Sequence, residues 1–305
     1  MRVTITGAAG FIGSHLAQSL LPDNDVVGVD NGRSGDWSRV PAGVVRHDVD
    51  ITEPGVEQWA ELLEGTEVLF HLAAEKYNSS KSSPEKVIAT NISAMATMLQ
   101  GAGRAGVRHV VFTSSLYAYG SLEMPAMRES QTLKPTTYYG MSKVAGENLL
   151  RVAQKEQGIS WAAARLFFVY GPRQYAEGGY KSVIMTNFER MLRGAAPVIN
   201  GSGTQRLDYV HVDDVVRGLI ELAGPQYAEL TVNLGSGTAP TIGELTQLMQ
   251  SIAGHEGNPQ WAPPDWTDHS VRLADVEIAR RAMGWEARTD LESGLRGVWE
   301  WINRR

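Results

Sequence analysis

Apolar residues run along this chain in two rhythms. Arg2 to Thr6 alternates β-branched residues and predicts a strand, whereas Phe11 to Leu21 repeats apolar residues at helical spacing. Gly7, Gly10 and Gly13 punctuate the junction, so the chain opens as strand, glycine turn, helix. Val26 to Val29 predicts a second strand ending at Asp30, followed by a short strand near Gly43 to Arg46, a helix over Pro54 to Leu63 and a buried strand from Glu67 to Phe70. Pro84 opens a long helix reaching Arg104, whose stripe is Val87, Ile88, Ile92, Met95, Met98 and Leu99. His109 to Thr113 is the next strand, closing on Ser114 and Ser115, and Lys134 to Glu147 reads as helix.

Strands alternating with helices predict an α/β protein with a doubly wound parallel Rossmann sheet. Beyond Pro172 the rhythm is less regular: a helix near Ser182 to Arg193, a strand at Pro197 to Ile199 and a helix from Val212 to Leu222. Five of the eight Trp lie after residue 260, too many for a floppy tail, which predicts an ordered cap. The expected division is a dinucleotide-binding domain over 1–172 and a smaller mixed α/β, substrate-binding part over 173–305, with 208–225 packing back on the first.

Charge and cysteine content narrow the chemistry. A net charge of −6 gives no reason to expect nucleic acid or an anionic membrane as partner, so an anionic ligand needs local positive groups. The absence of cysteine excludes disulfides, thiolate metal sites and cysteine nucleophiles. With no basic-then-apolar leader and no apolar run of membrane length, a cytoplasmic location is the expectation.

The glycine turn carries the first candidate site. Gly7 permits the tight turn, Gly10 has no Cβ to block an approaching pyrophosphate, and Gly13 lets the helix lie against the strand, its N–H groups facing the phosphates. Asp30, seventeen residues after Gly13, stands where a carboxylate accepts from adenosine ribose hydroxyls and repels a 2′-phosphate, which favours NAD over NADP; Arg33 nearby casts the weaker opposing vote. Asp48 either accepts from the adenine amino group, with Val49 against the ring, or simply starts a turn. The small residues of HLAA at 71–74 leave room for a crossing dinucleotide, while His71 reads as a core histidine without a metal partner at ligand spacing. Asp213 and Asp214 invite a metal reading, but at a helix start they offset the dipole, and no metal site is expected.

Tyr139 and Lys143 are four apart on a helix and project from one face. A phenol titrates too high to act as base at neutral pH, but an adjacent ammonium and an oxidised nicotinamide both favour the phenolate.

With the glycine turn, HLAA, the serine pair and the Tyr139/Lys143 helix in order, the sequence resembles the extended short-chain dehydrogenase/reductase family, and within it the nucleotide-sugar epimerase and dehydratase group. RLFFVYGPRQ at 165–174, GSGTQRLDYVHVDD at 201–214, NLGSGTAPT from Asn233 and MGWEARTDLESGL at 283–295 extend the likeness over essentially the whole chain. The resemblance implies Tyr139 as catalytic base, Lys143 on the nicotinamide ribose and Ser115 on the reacting sugar hydroxyl. It implies an NAD site lined by Gly7, Gly10, Phe11, Ile12, Gly13, Asp30, Asn31, Asp48, Val49, Leu72, Ala73, Ala74 and Asn91, together with Tyr139 and Lys143. It further implies a homodimer through the helices near 84–104 and 138–157.

Within that group, dehydratases place Asp-Glu directly after the Ser and decarboxylases keep the Glu; here Leu116 and Tyr117 stand there, and neither supplies a carboxylate. The expected reaction is 4-epimerisation of a nucleotide-diphosphate sugar through a transient 4-keto sugar with NAD kept bound. Dehydratase, decarboxylase, 4-ketoreductase, dehydrogenase of a small hydroxylated substrate and a non-catalytic NAD-binding protein are the alternatives. Tyr117 and Phe168 are candidate substrate contacts; Phe168 replaces the Asn of the family's RPFNVYG. Leu207 stands where related epimerases have a diphosphate-binding Arg, and Arg206 or Arg272 is expected to supply that charge. The nucleotide and the sugar stay open.

Overall fold

The computed structural model describes residues 1–120, 125–174 and 182–304. In chain order the elements are β1 (Arg2–Thr6), α1 (Phe11–Leu20), β2 (Asp25–Asp30), β3 (Val45–Asp48), α2 (Val56–Leu62), β4 (Val68–His71), α3 (Ser79–Ser82), α4 (Pro84–Ile88), α5 (Met95–Ala105), β5 (His109–Ser115), α6 (Tyr138–Gln157) and β6 (Ser160–Leu166). They continue with β7 (Phe168–Tyr170), α7 (Val183–Leu192), β8 (Val198–Asn200), β9 (Arg206–Leu207), β10 (Tyr209–His211), α8 (Val212–Glu221), β11 (Leu230–Leu234), α9 (Ile242–Ala253), β12 (Gln260–Ala262), β13 (Val271–Arg272), α10 (Glu277–Met283) and α11 (Leu291–Asn303).

The main sheet has seven strands in the order β11-β6-β5-β4-β1-β2-β3. All pairings among β1 to β6 are parallel. The chain runs outward from β1 through β2 to β3, then returns to place β4, β5 and β6 on the other side, so the switch point lies between β1 and β4. This is the Rossmann-like α/β fold that the alternating pattern predicts. Trp59, Leu69, Met95, Met98, Phe112, Leu150 and Trp161 share one core cluster beside this sheet.

The chain divides into two compact units: Met1–Ser121 with Glu129–Leu166 and Val216–Val232, and Leu122–Arg128 with Phe167–Val215 and Asn233–Arg305. The change of unit thus falls after Leu166 rather than at 172, and the segment that returns to the first unit is 216–232 rather than 208–225. In the second unit, Tyr170, Ile184, Phe188, Leu245, Met249, Leu295 and Val298 form a separate core.

Two local expectations change. The strand after Asp30 runs over Val45–Asp48, and its register sets Asp48 beside Asp30. The single helix expected over 84–104 is α4 and α5 joined by a π-helical turn, Ala89–Ala94. Such wide turns are frequent at functional sites, and this one carries buried Asn91: its Oδ1 accepts from Glu75 N at 2.7 Å and its Nδ2 donates to Glu75 O and to Ser142 Oγ, both at 3.0 Å.

The acidic pair at the start of α8 also finds its role. Asp214 is buried and accepts from the Arg288 and Thr289 N–H groups at 3.0 and 2.9 Å, while Asp213 is exposed. Asp214→Ala strands two amide donors, so the second unit is expected to lose about 2 kcal/mol. Chemical denaturation followed by tryptophan fluorescence reads that loss, with Asp213→Ala close to neutral as the control.

Candidate active site

The switch point gathers the residues expected to hold a dinucleotide, all in the first unit. Gly7 ends β1 at φ +77, and a Cβ there would lie 2.8 Å from Ala73 N. A Cβ on Gly13 would lie 2.0 Å from Gly7 O, so only glycine lets α1 sit this close to the turn. Gly10 is the N-cap of α1 and supplies no side-chain cap, so the first-turn N–H groups near Phe11, Ile12 and Gly13 have no side chain competing at this helix end.

Asp30 stands at the end of β2, its carboxylate accepting from Ala9 N at 3.0 Å and Gly32 N at 2.8 Å. Burial pushes its pKa up against those hydrogen bonds, and the neighbouring Asp48 charge adds to the rise. Asn31 donates to Asp50 at 2.9 Å, and Val49 N donates to Asp30 O at 3.1 Å. Arg33, the opposing vote for a 2′-phosphate, forms an ion pair with Glu75. Leu72, Ala73 and Ala74 follow β4, and Asn91 fixes the next residue, Glu75, through its backbone. His71 stacks on Phe112 and its Nδ1 lies 2.7 Å from Thr6 Oγ1; burial, with the Lys143 charge behind it, holds its pKa down at about 3.

The second cluster forms where the ends of β5 and α6 meet. Thr137 caps α6 by accepting from Gly140 N at 3.0 Å, which starts the helix one residue before Tyr139. Ser115 pulls the pKa of the Tyr139 phenol down, and Ser115 Oγ accepts from Tyr117 N at 3.3 Å. One turn along, Lys143 is 3 % exposed, donates from Nζ to Thr113 O at 2.8 Å and lies 5.6 Å from the Tyr139 ring centroid. Tyr117 meets Tyr139 edge-on at 5.6 Å and stacks on Tyr77 at 4.7 Å, with Lys81 Nζ 4.7 Å from the Tyr77 ring. Gly140 allows this approach, since a Cβ there would lie 2.3 Å from Tyr117 O.

In the chain without cofactor, burial sets both titrations. Burial raises Tyr139 to about 12, with only the Ser115 hydrogen bond pulling it down. Burial also lowers Lys143 to about 7, opposed by the Glu147 charge. The protein alone therefore keeps the phenol protonated at neutral pH, because desolvation outweighs a neighbour whose own charge is weakened by the same burial.

Phe168, Arg206 and Arg272 lie in the second unit. Phe168 meets Tyr209 at 5.7 Å between ring centroids. In the β9/β13 pair, Arg272 is opposite Leu207 and Arg206 is opposite Val271. Alternation along β9 puts Arg206, which is exposed, on the other face from Leu207 and Arg272. Arg206 thus does not stand in for a side chain at 207, whereas Arg272 shares that face. The sequence reading missed Asp208, which is fully buried and accepts from Ser236 N, Ser236 Oγ, Gly237 N and Ala274 N at 2.6 to 3.1 Å. Burial lifts it to about 6 against those donors. Its only signal was position, between Leu207 and Tyr209. Tyr77 was missed too, inside a polar loop without periodicity.

A glycine turn at a Rossmann switch point, an acidic residue ending β2 and a Ser/Tyr/Lys cluster on β5 and α6 are the features of an NAD enzyme of the extended type. The NAD dependent epimerase/dehydratase family model matches residues 3–235, and the chain belongs to that family, whose cofactor is NAD. Among its relatives is the UDP-glucose 4-epimerase of Mycolicibacterium smegmatis, 32% identical over 100% of this chain and 99% of that protein. UDP-glucuronic acid decarboxylase 6 of Arabidopsis thaliana is 31% identical over 97% of this chain and 87% of that one. The structure of the UDP-glucose 4-epimerase of Thermotoga maritima with UDP-glucose is similar at a TM-score of 0.94 and 32% identity, over 100% of this chain and 99% of that one.

Proposed function

We propose that the chain is a UDP-sugar 4-epimerase that keeps NAD bound through both half-reactions. The observation that carries this reading is Ser115 and Tyr139 gathered with a buried Lys143, whose Nζ lies 5.6 Å from the Tyr139 ring centroid, bordered by Leu116 and Tyr117 where elimination chemistry calls for carboxylates. The residues fit the cofactor: the α1 N-terminus and its close-packed glycines suit a pyrophosphate, Asp30 keeps acceptor capacity for ribose hydroxyls, and Lys143 lies one turn from Tyr139 to meet the second ribose. NAD held there would supply a reversible hydride acceptor and a positive charge that favours the phenolate.

Tyr139 takes the proton of the sugar C4 hydroxyl and later gives it back to the C4 oxygen of the 4-keto sugar, whose opposite face is the one that receives the returning hydride. Ser115 holds that oxygen by hydrogen bonding, and Lys143 lends charge to the phenolate through the ribose it holds. In the second unit, Arg272 is our candidate for the diphosphate, with Phe168 bordering the substrate. Exposed Ile88, Tyr138, Met141 and Val152 on α4 and α6 support a homodimer through these helices, and we place the enzyme in the cytoplasm.

The test is incubation with UDP-glucose, UDP-galactose, UDP-glucuronate and UDP-N-acetylglucosamine, followed by proton NMR. Interconversion at C4 without accumulating NADH supports the reading. Release of carbon dioxide from UDP-glucuronate, or stoichiometric NADH, overturns it. Asp30→Ala is expected to weaken NAD binding by about tenfold, measured by calorimetry.

A further inference from the structure

One buried network lies just behind the catalytic cluster, and the reaction as written does not use it. Arg165 on β6 is 4 % exposed and Glu147 on α6 is 1 % exposed, measured on their side chains. Arg165 Nε donates to Glu147 Oε1 at 2.9 Å and its Nη2 donates to Oε2 at 2.8 Å, a two-pronged pairing. Ser114 Oγ donates to Glu147 Oε1 at 2.6 Å. The remaining prong, Nη1, donates to the Tyr119 hydroxyl at 3.0 Å and to Glu129 O at 3.3 Å.

Each partner sits next to a residue of the site. Ser114 precedes Ser115, Tyr119 is the C-cap of the short turn that carries Tyr117, and Glu147 is one helical turn beyond Lys143. We propose that the Glu147/Arg165 pair is a positioning unit of the active site, locking Ser115, the Tyr117 turn and α6 together and balancing the Lys143 ammonium with a carboxylate. The inference rests on the epimerase reading for its rate measurements.

The surroundings of Lys143 leave Glu147 as its balancing charge. From β4 it faces His71, kept neutral by burial; from β5 it meets uncharged Phe112 and the Thr113 carbonyl; its own helix presents Tyr139 and Glu147; from β6, Arg165 reaches it only through Glu147. Of these charged groups, only Glu147 favours the protonated amine. A buried ion pair seldom increases net stability over apolar residues of similar volume, so its value is sought in the arrangement it imposes.

The experiment uses the NAD-loaded protein with Glu147→Gln, and with the paired replacement Glu147→Leu/Arg165→Met. Glu147→Gln is expected to lower kcat by about tenfold or more with KM within about twofold. Without the carboxylate the amine loses its proton more readily, so the basic limb of the kcat profile is expected to move to lower pH by about one unit. A lowered melting temperature with an unmoved profile and kcat would mean a purely structural pair and overturns the inference. Should Glu147→Gln fail to fold, the paired replacement removes both charges and is expected to fold with low kcat and the same shifted limb; wild-type rate and profile in it overturn the inference. If the wild type turns over none of the UDP-sugars, the reaction assignment fails on its own. The positioning unit is then read from the tyrosinate absorbance of Tyr139, obtained by difference against Tyr139→Phe in each background. Its titration midpoint is expected to rise in Glu147→Gln, and an unmoved midpoint overturns the inference.

Discussion

Tyr139→Phe is expected to lower turnover of the UDP-sugar by about a thousandfold, the range in which a positioned acid-base group acts. The substitution removes one hydroxyl and leaves the ring, so the edge-on contact with Tyr117 at 5.6 Å and the start of α6 survive. KM is therefore expected to stay within about threefold, because the lost interaction belongs to proton transfer rather than to ground-state binding. A spectroscopic companion follows from the titration. Burial alone keeps the phenol near 12, so the free chain should show no tyrosinate at neutral pH. Adding NAD should produce a tyrosinate signal in the wild type and none in the variant. Equal rates in the two proteins would remove Tyr139 from the chemistry.

The same two residues show where sequence is informative. A four-residue spacing on a helix places Tyr139 and Lys143 on one face whatever the tertiary context, and the strand, glycine turn and helix at the chain start are equally local. The sign of the Tyr139 shift was not local. It depends on how much water β5, α6 and the Tyr117 turn exclude, which spacing does not encode. Asn91 is similar: it falls within a helix-period segment, but neither the π-helical turn nor the Glu75 backbone that its side chain bonds is written in that period. For Arg206 against Arg272, sequence distance from Leu207 does not decide. One residue along a strand reverses the face, whereas the residue opposite on the neighbouring strand keeps it. Tyr77 and Tyr117 are forty positions apart, and only the crossover connections that place the β4 and β5 loops at one sheet edge bring their rings to 4.7 Å.

Lys143→Met should separate rate from stability. A methionine of similar length fills the slot beneath Tyr139, leaving the Thr113 carbonyl without the Nζ donor that now lies at 2.8 Å. The kcat is expected to fall about a hundredfold, because the phenolate loses its cationic neighbour and the ribose loses its ligand. Stability should hold or rise, since an ammonium at 3 % exposure is costly to bury and an apolar chain is not. The pH dependence supplies the sign. Lys143 titrates at about 7 in the folded chain against an ordinary 10.5, so between pH 7 and 10 the unfolded chain holds a proton that the folded chain has released. Stability of the cofactor-free wild type must then gain from this group as pH rises through that window. His71 at about 3 and Asp208 at about 6 titrate below it, and the raised Tyr139 acts in the opposite direction only above pH 10. Urea unfolding at several pH values should show a shallower rise in Lys143→Met than in the wild type. Parallel curves would mean that the folded protein keeps Lys143 protonated across the window, whereas a large loss of stability would make its role structural rather than catalytic.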